Sequence, residues 1–346
     1  MLGFGSKRVH VTGRDGVGWS IDHDRANAER FLAAAGMKVA KTPFTASAIH
    51  SVWWRTLFGR KGQVIRAFAR ARRQKIVGTV TNEFFTDDSQ YQLAKKFISV
   101  WVAGNKEQQN RLLDDGVTTF WQPFYVDENM ILSSGKSKEE ISHELGIDYS
   151  AVKDRYLISN YQRDTSGADL TSPKLQKDPE KLIRILSELP RKNDWLLLLT
   201  GPRRHLVVSE CNRLGIPYYF VGSEPVTGMD DIHTNVQPSS RMALLNELAD
   251  CSLTTSKWEG GPKAIIEGAY ALSYVLTTPV GNAPDILPKE NLFDSDEMAI
   301  SKLSNLVENH GSAEITEHIK KVQADVLNTC GYEPTLKRWQ EIYAAL

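Results

Sequence analysis

Short β-rich runs alternate with helical patterns along the whole chain, and this alternation is the feature that most constrains the fold. It is typical of parallel sheets covered by helices. In the first half, we expect strands at Arg8–Thr12, Lys38–Thr42, Lys75–Thr81, Phe97–Val102 and Thr118–Gln122. In the second half, we expect them at Tyr156–Asn160, Trp195–Thr200, Tyr218–Val221, Ser252–Thr255, Tyr274–Thr277 and Asn291–Phe293. The sequence therefore predicts an α/β protein in which both halves are doubly wound.

The length of 346 residues fits two domains, since domains usually contain roughly 100–200 residues. Between the two alternating halves, Ser137 and Glu140 have the spacing of a capping box that begins a short helix. We place the boundary just beyond this helix, with an N-terminal domain over 1–150 and a C-terminal domain over 151–331. The tail 332–346 has apolar residues at helical spacing and is expected to dock as a helix.

Composition excludes several classes of protein. With 41% hydrophobic and 24% charged residues, the chain has no window near the roughly 18 uninterrupted apolar residues of a membrane span. No apolar signal-peptide core accompanies Lys7 and Arg8, which predicts a cytoplasmic protein. Cys211, Cys251 and Cys330 are odd in number and far apart, so neither a disulfide framework nor a cysteine zinc site is indicated.

Charge is unevenly distributed although the formal net charge is zero. From Arg30 to Asn82 there is no Asp or Glu, and the segment Trp53–Lys75 interleaves basic with aromatic residues. One interpretation is a solvated helix face, and the other is peripheral docking on anionic lipid, such as the inner face of the cell membrane. Nucleic-acid binding is not predicted, because the overall charge is neutral and no basic recognition helix follows Ser137–Ile147.

The most informative motif is Ser256–Glu267, which follows a predicted strand and opens a helix. Pro262 suits the first helical position, because its missing N–H would be unpaired there anyway. Gly260 and Gly261 then lie at the helix start, where exposed amides attract phosphate and glycines let a ligand approach closely.

Two glutamates flank this glycine-proline turn. Glu259 lies in the loop and Glu267 in the helix, so both carboxylates can accept hydrogen bonds from the hydroxyl groups of a sugar-containing ligand. The plainer interpretation is an exposed loop glutamate and an unrelated helix glutamate.

In this motif the sequence resembles family 4 of the glycosyltransferases, whose C-terminal domain carries two glutamates at the spacing of Glu259 and Glu267. Pro279–Ile286 resembles the family's glycine-rich loop, with Asp285 in the place of an acidic residue. Tyr219–Gly222 is similar to the family's strand-glycine element, which assigns Gly222 to donor binding.

The family's phosphate-binding Arg and Lys have counterparts near the start of the second half. Arg163 ends the segment Asn160–Arg163, and Lys177 ends Pro173–Lys177. The resemblance implies that Arg163 and Lys177 neutralise the donor diphosphate, with Lys174 as the alternative lysine.

In the N-terminal half, Gly16 and Gly18 resemble the family's glycine-rich loop after the first strand, which contacts acceptor or phosphate. After the strand at Lys75–Thr81, where a His-Asp pair is common in the family, this chain has Asn82 and Glu83 instead. No histidine is therefore assigned to the reaction centre, and His50 is more often structural in such a setting.

The resemblance implies a GT-B fold, with two Rossmann-like domains facing a cleft and the C-terminal helix 332–346 crossing back to the N-terminal domain. It implies a retaining, metal-independent glycosyltransferase that moves a sugar from a UDP- or GDP-sugar to a glycan or lipid-linked acceptor. The expected setting is surface polysaccharide or glycoconjugate synthesis. Glu259 would hold the donor sugar and Glu267 the ribose. An inactive sugar-nucleotide-binding protein and a GT-B sugar-nucleotide epimerase are the alternatives.

Two Asp-x-Asp strings do not change the expectation that no metal is needed. Asp22–Asp24 and Asp294–Asp296 are short patterns that arise easily by chance, and both are interpreted as acids at helix starts near solvent.

Overall fold

The computed structural model describes residues 7–14, 20–82, 88–166 and 169–346. The chain divides into two compact units, which we call unit 1 and unit 2. Unit 1 consists of Met1–Tyr125 and Cys330–Leu346, and unit 2 of Val126–Thr329. The fold of each unit follows from parallel strands linked by helical crossovers.

Helices cover the sheets of both units. In chain order they are α1 (Ser20–Ala34), α2 (Arg60–Ala71), α3 (Ser89–Ala94), α4 (Lys106–Asp114), α5 (Lys138–Leu145), α6 (Tyr149–Val152), α7 (Pro179–Glu188), α8 (His205–Leu214), α9 (Ser239–Leu248), α10 (Lys263–Tyr270), α11 (Ala283–Ile286), α12 (Asp296–Glu308), α13 (Ala313–Cys330) and α14 (Tyr332–Ala344). Among the described residues, no helix combines the length and the apolar content that a bilayer span requires.

The boundary between the units lies earlier than the predicted division between 1–150 and 151–331. Residues 126–150 belong to unit 2, because α5 packs there. Ile141 and Leu145 of α5 share a core with residues of α9, and Lys138 Nζ donates to both carboxylate oxygens of Asp250 at 2.6 and 2.7 Å. The capping box of Ser137 and Glu140 is present as predicted.

Unit 1 contains a six-stranded sheet in which every pairing is parallel. Its strands are β1 (Arg8–Thr12), β2 (Lys38–Val39), β3 (Ala48–Ser51), β4 (Lys75–Val80), β5 (Val100–Ala103) and β6 (Thr119–Trp121), in the spatial order β2-β1-β3-β4-β5-β6. The chain winds outward on both sides of the β1–β3 pair, as a doubly wound fold requires. Strand β3 was not predicted from the sequence, because the buried residues of this strand include the polar His50 and Ser51.

The C-terminal helix α14 belongs to unit 1, as the GT-B resemblance implied. Trp339, Ile342 and Tyr343 are buried in one core with strand residues such as Val9 and Val77. This helix therefore completes the core on one face of the six-stranded sheet.

His50 lies inside that core and joins three elements. Its Nδ1 is 2.9 Å from the Tyr343 hydroxyl on α14, and its Nε2 is 2.9 Å from Thr79 Oγ1 on β4. Burial lowers the pKa of the imidazole from 6.5 to about 3, so the ring is neutral at physiological pH. The contacts are those of a structural histidine.

Unit 2 contains a five-stranded sheet, again with parallel pairing throughout. Its strands are β7 (Tyr156–Asn160), β8 (Trp195–Thr200), β9 (Tyr218–Val221), β10 (Cys251–Thr254) and β11 (Tyr274–Thr277), in the spatial order β11-β10-β7-β8-β9. After β7 the chain builds β8 and β9 on one side, and then returns to build β10 and β11 on the other. The order of strands reverses between β7 and β10, and ligands of open α/β sheets bind at the carboxyl ends of strands at such a point.

The predicted strand Asn291–Phe293 is wrong. A short helical turn occupies Lys289–Asn291, and only an isolated parallel bridge joins Thr277 to Leu292. The side-chain amide of Asn291 donates to the Val275 carbonyl at 2.6 Å, so a side chain satisfies this part of the sheet edge.

Candidate functional site at the carboxyl ends of the unit 2 strands

The candidate site lies where β7 and β10 end side by side. The loop after β7 carries Gln162 and Arg163, and the loop after β10 carries Ser256 and Glu259. The Lys257 amide donates to the Gln176 carbonyl at 2.9 Å, which ties the two loops together. The sheet topology therefore brings together residues nearly a hundred positions apart.

Glu259 and Lys177, which the sequence assigned to one site, form an ion pair. Lys177 Nζ binds Glu259 Oε1, and the Ser256 hydroxyl donates to the same oxygen at 2.8 Å. Gln176 Nε2 donates to Oε2 at 3.2 Å. The Glu259 side chain is only 8% exposed, so three donors hold its carboxylate in one orientation.

The hydrogen bonds continue behind the carboxylate. Gln162 Nε2 donates to Ser256 Oγ at 3.0 Å, so a chain of donors runs from Gln162 through Ser256 to Glu259. Among the described residues, Gln162 Oε1 is buried without a hydrogen-bond partner. Gln162, Gln176 and Ser256 were not predicted as site residues, although Gln162 and Gln176 directly precede predicted site residues and Ser256 lies three positions before Glu259.

Basic side chains cluster beside this carboxylate. Desolvation, together with the positive charges of Arg163, Lys177 and Arg203, lowers the pKa of Lys174 to about 8, whereas Glu259 opposes the shift. The pKa of Arg163 is also lowered, first by desolvation and then by Arg203. A bound anion would relieve the repulsion among these basic groups and would be attracted by each of them.

Arg203 follows β8 and was not predicted as a site residue. Its guanidinium donates to both carboxylate oxygens of Asp230, at 3.0 and 2.8 Å, and its amide donates to Asp231 Oδ1 at 2.7 Å. Its carbonyl accepts from the Asp164 amide at 3.2 Å. Arg203 therefore ties the loop after β8 to the loop after β7.

A buried charged group supports the same loops from beneath. Arg204 is 1% exposed, and its Nη2 donates to Asn160 Oδ1 at 2.9 Å. The side-chain amide of Asn160 in turn donates to the Leu253 carbonyl at 2.9 Å, between β7 and β10. Desolvation raises the pKa of nearby Asp164 to about 6, against the opposing charge of Arg204 and a hydrogen bond from the Val207 amide.

The start of α10 differs by one residue from the prediction. Pro262 is the cap residue with φ −70° and ψ 114°, and the helix begins at Lys263. Gly281, with φ +58°, packs against the preceding turn, because a Cβ there would lie 3.0 Å from the Gly261 amide nitrogen and 3.1 Å from the Glu259 carbonyl oxygen. The loop after β11 thus supports the turn that contains Gly260 and Gly261.

The remaining predicted donor residues lie on separate elements of unit 2. Glu267 is half-buried on α10; desolvation raises its pKa, and Lys263 partly opposes that rise. Gly222 directly follows β9 with φ +130°, and a Cβ there would lie 2.7 Å from Asn235 Oδ1, so a side chain is excluded. Within the described ranges, no hydrogen bond or ion pair joins Glu267 or Gly222 to the Glu259–Lys177 pair.

Other predicted residues fall outside the site. Gly16 and Gly18 lie outside the described residues, as does Glu83. Asp296 is the first residue of α12 and binds Arg184 Nε at 2.8 Å. In the part of the chain that the structure describes, no group of three or more His, Cys, Asp or Glu side chains is arranged to hold a metal ion.

This chain has the GT-B fold. Each of its two units is doubly wound around a sheet of parallel strands, and the C-terminal helix returns to the first unit. Similar solved structures include HepE of Anabaena in complex with UDP and glucose, with a TM-score of 0.72 at 14% identity over 98% of this chain and 100% of that one. A glycosyltransferase from Rickettsia africae gives 0.70 at 14% identity over 97% and 98%. Sucrose-phosphate synthase from Thermosynechococcus elongatus gives 0.69 at 12% identity over 98% of both chains. No protein-family model and no curated sequence matches the chain.

Proposed function

We propose that this protein is a glycosyltransferase that takes a sugar from a nucleotide-sugar donor bound by unit 2. The observation that carries the proposal is the Glu259–Lys177 pair beside Arg163 and Lys174, at the point where β7 and β10 end. The shared fold with HepE, which was solved with UDP and with UDP-glucose, supports a UDP-sugar as the donor.

In this proposal, basic groups bind the donor diphosphate. Arg163 and Lys177 neutralise it, Lys174 adds a third positive charge, and the amides of Gly260 and Gly261 contribute at the start of α10. These groups stabilise the negative charge that develops on the leaving diphosphate. Preorganised donors of this kind each contribute roughly 2.7–4 kcal/mol to catalysis. Because the cations balance the phosphates, the proposed reaction needs no metal.

Glu259 is proposed to accept hydrogen bonds from the donor sugar. Its carboxylate is already held by three protein donors, so its position is fixed before the sugar arrives. Glu267 is proposed to bind the ribose, and burial already raises the pKa of its carboxyl. Gly222, with no side chain, lets the nucleotide approach the end of β9.

We propose that the reaction retains the anomeric configuration. The bond between the anomeric carbon and the phosphate oxygen breaks, and the diphosphate leaves with the bonding pair. The acceptor oxygen bonds to the same face of that carbon, and its proton passes to a diphosphate oxygen. No histidine is assigned a role in this proposal, in keeping with the enclosed position of His50.

The acceptor is proposed to be a glycan or a lipid-linked sugar, in surface polysaccharide or glycoconjugate synthesis. Unit 1 would bind it, with Gly16 and Gly18 in the contacting loop. We place the protein in the cytoplasm, at the inner face of the membrane. Product analysis separates transfer from the two alternatives, because an epimerase would return a changed sugar and an inactive protein no product.

Calorimetry with UDP, GDP and their sugars tests the donor site. We expect one nucleotide to bind, and Arg163→Ala and Glu267→Ala each to weaken binding at least about tenfold, as loss of a hydrogen bond to a charged group does. Arg184→Ala is the matched control, because Arg184 is an exposed residue of α7 that pairs with Asp296 of α12. If no nucleotide bound to the wild type, the proposal would fail.

A further inference from the structure

The basic segment Trp53–Lys75 does not form one surface. Three of its arginines are held by unit 1 itself: Arg55 pairs with Asp88, the Arg66 guanidinium lies over two phenylalanine rings at 4.9 Å each, and Arg72 donates to the Phe44 carbonyl at 3.2 Å. Trp54 is 2% exposed and part of the core. These side chains take part in contacts within unit 1, although Arg72 is also exposed.

Lys75 lies on β4, where its Nζ donates to the Ala345 carbonyl at 3.0 Å, and the other four basic residues lie on or directly after the outer side of α2. Arg60 and Lys61 begin the helix, Arg70 lies in its last turn, and Arg73 follows it, and all four are exposed. None of them forms an ion pair with a described residue. The nearest stretch of sequence offers no counter-charge either, because no Asp or Glu occurs between Arg30 and Asn82.

An apolar stripe runs along the same side of the helix, between these basic residues. Val64 is 60% exposed, and Ala67 and Ala71 follow it at helical spacing. Phe44, 52% exposed, packs edge-on against Phe68 beside α2, with ring centroids 4.6 Å apart. This exposed apolar area favours a docking surface over a helix face that contacts only solvent.

The rotation of α2 is fixed by close packing on its other side. Gly62 faces the turn Trp54–Phe58, where an added Cβ would lie 2.3 Å from the Thr56 carbonyl oxygen. Ala69 is 1% exposed on the same inner side. The outer side of α2 is therefore held outward as a rigid surface.

We propose that the outer side of α2, comprising Arg60, Lys61, Val64, Arg70 and Arg73 together with Phe44, docks on an anionic lipid surface. The basic residues bind headgroup phosphates, and the apolar stripe enters the headgroup boundary. Lipid explains this surface better than nucleic acid does, because a phosphate backbone has no apolar part that the apolar stripe of α2 could contact. The inference rests on the proposed placement at the inner face of the membrane, but it involves no donor-site residue, so nucleotide binding tests the proposed transfer separately.

Flotation with vesicles tests this surface. We expect the wild-type protein to float with vesicles that contain phosphatidylglycerol, to stay at the bottom with pure phosphatidylcholine, and to be released by high salt. Arg60→Glu/Lys61→Glu should weaken binding at least about 25-fold, since each basic residue near such a surface adds about fivefold. Val64→Ser should weaken it without changing the net charge of the surface.

The matched control is Lys320→Glu/Lys321→Glu, which reverses two exposed lysines on α13 of unit 2. It should float like the wild type, and circular dichroism and nucleotide affinity show that each variant is folded. Wild-type protein that stays at the bottom with anionic vesicles would overturn the inference. Equal losses in both double variants would also overturn it, as would binding to a DNA duplex in place of vesicles.

Discussion

At the scale of single residues, Lys174 is the group whose charge depends most directly on what the site binds. Its pKa is lowered to about 8 by desolvation and by Arg163, Lys177 and Arg203. A bound diphosphate supplies the missing negative charge, which raises that pKa again. Binding is then coupled to the uptake of a proton.

We therefore predict that nucleotide affinity falls as pH rises through about 8. Below that pH, Lys174 is already protonated and binding takes up little proton. Above it, the free protein has lost the proton, and affinity declines by up to about tenfold per pH unit. Calorimetry from about pH 7 to about pH 9, in two buffers of different ionisation enthalpy, measures the uptake directly. Lys174→Met should bind more weakly and lose this dependence; a pH profile identical to the wild type would contradict the assignment.

At the scale of elements, the site depends on hydrogen bonds between loops that leave different strands. Ser256 follows β10, yet it receives a hydrogen bond from Gln162 after β7 and passes one to Glu259. Both loops therefore supply donors to the Glu259 carboxylate. Ser256 is therefore a positioning residue, which acts through Glu259.

We predict that Ser256→Ala weakens binding of the nucleotide sugar about tenfold and leaves binding of the nucleoside diphosphate nearly unchanged. The reason is that Glu259 is proposed to hold the sugar, and a hydrogen bond to a charged group is worth about 1.5–3 kcal/mol. Paired calorimetric titrations give the ratio. Ser187→Ala, which removes a hydroxyl bound to the Arg184 carbonyl at 2.8 Å, is the control. Equal losses for both ligands would argue against a positioning role.

Several elements were predictable because their signals are local. The strand Trp195–Thr200 is a continuous apolar run, and the tail helix carries Trp339 and Tyr343 at helical spacing. By contrast, β3 contains His50 and Ser51, whose burial depends on partners far along the chain. The turn at Lys289–Asn291 ends at Asn291, whose side-chain amide donates to the Val275 carbonyl at the edge of β11. The pattern of apolar residues does not predict a side-chain hydrogen bond of this kind.

The candidate site was predictable only in part. The family resemblance indicated Glu259 and Lys177, and the structure pairs them, but their catalytic roles stay predictions. Ser256 and Gln176 were missed because their roles depend on two loops meeting. Arg203 lies three residues after the end of β8, so its position near the carboxyl end of a parallel strand was an available signal.

At the scale of the whole molecule, each unit has its own sheet and core, and unit 1 is completed by the last helix of the chain. His50 connects that helix to β3 and β4 through the Tyr343 and Thr79 hydroxyls. Because the folded imidazole is neutral, the stability of unit 1 depends on pH. The pKa falls from 6.5 to about 3 on folding.

We predict that unit 1 loses stability as pH falls below about 6.5. The unfolded chain protonates His50 there while the folded chain does not, so the loss approaches about 1.4 kcal/mol per pH unit until about pH 3. Above 6.5 this contribution is fully present. Urea unfolding at neutral and mildly acidic pH measures the slope. His50→Gln should flatten it, whereas His23→Gln, on the exposed side of α1, should not; an unchanged slope in His50→Gln would refute the explanation.

The most direct test of the central claim is release of nucleoside diphosphate from candidate UDP-sugars, in the presence of glycan and lipid-linked acceptors, with the sugar product analysed. We predict that the wild type releases UDP and transfers the sugar with its anomeric configuration retained. Glu259→Gln should slow release at least about 100-fold, as loss of one preorganised group does, while still binding UDP. If UDP bound but Glu259→Gln released it as fast as the wild type, or if the only product were an epimerised sugar nucleotide, the account would be contradicted.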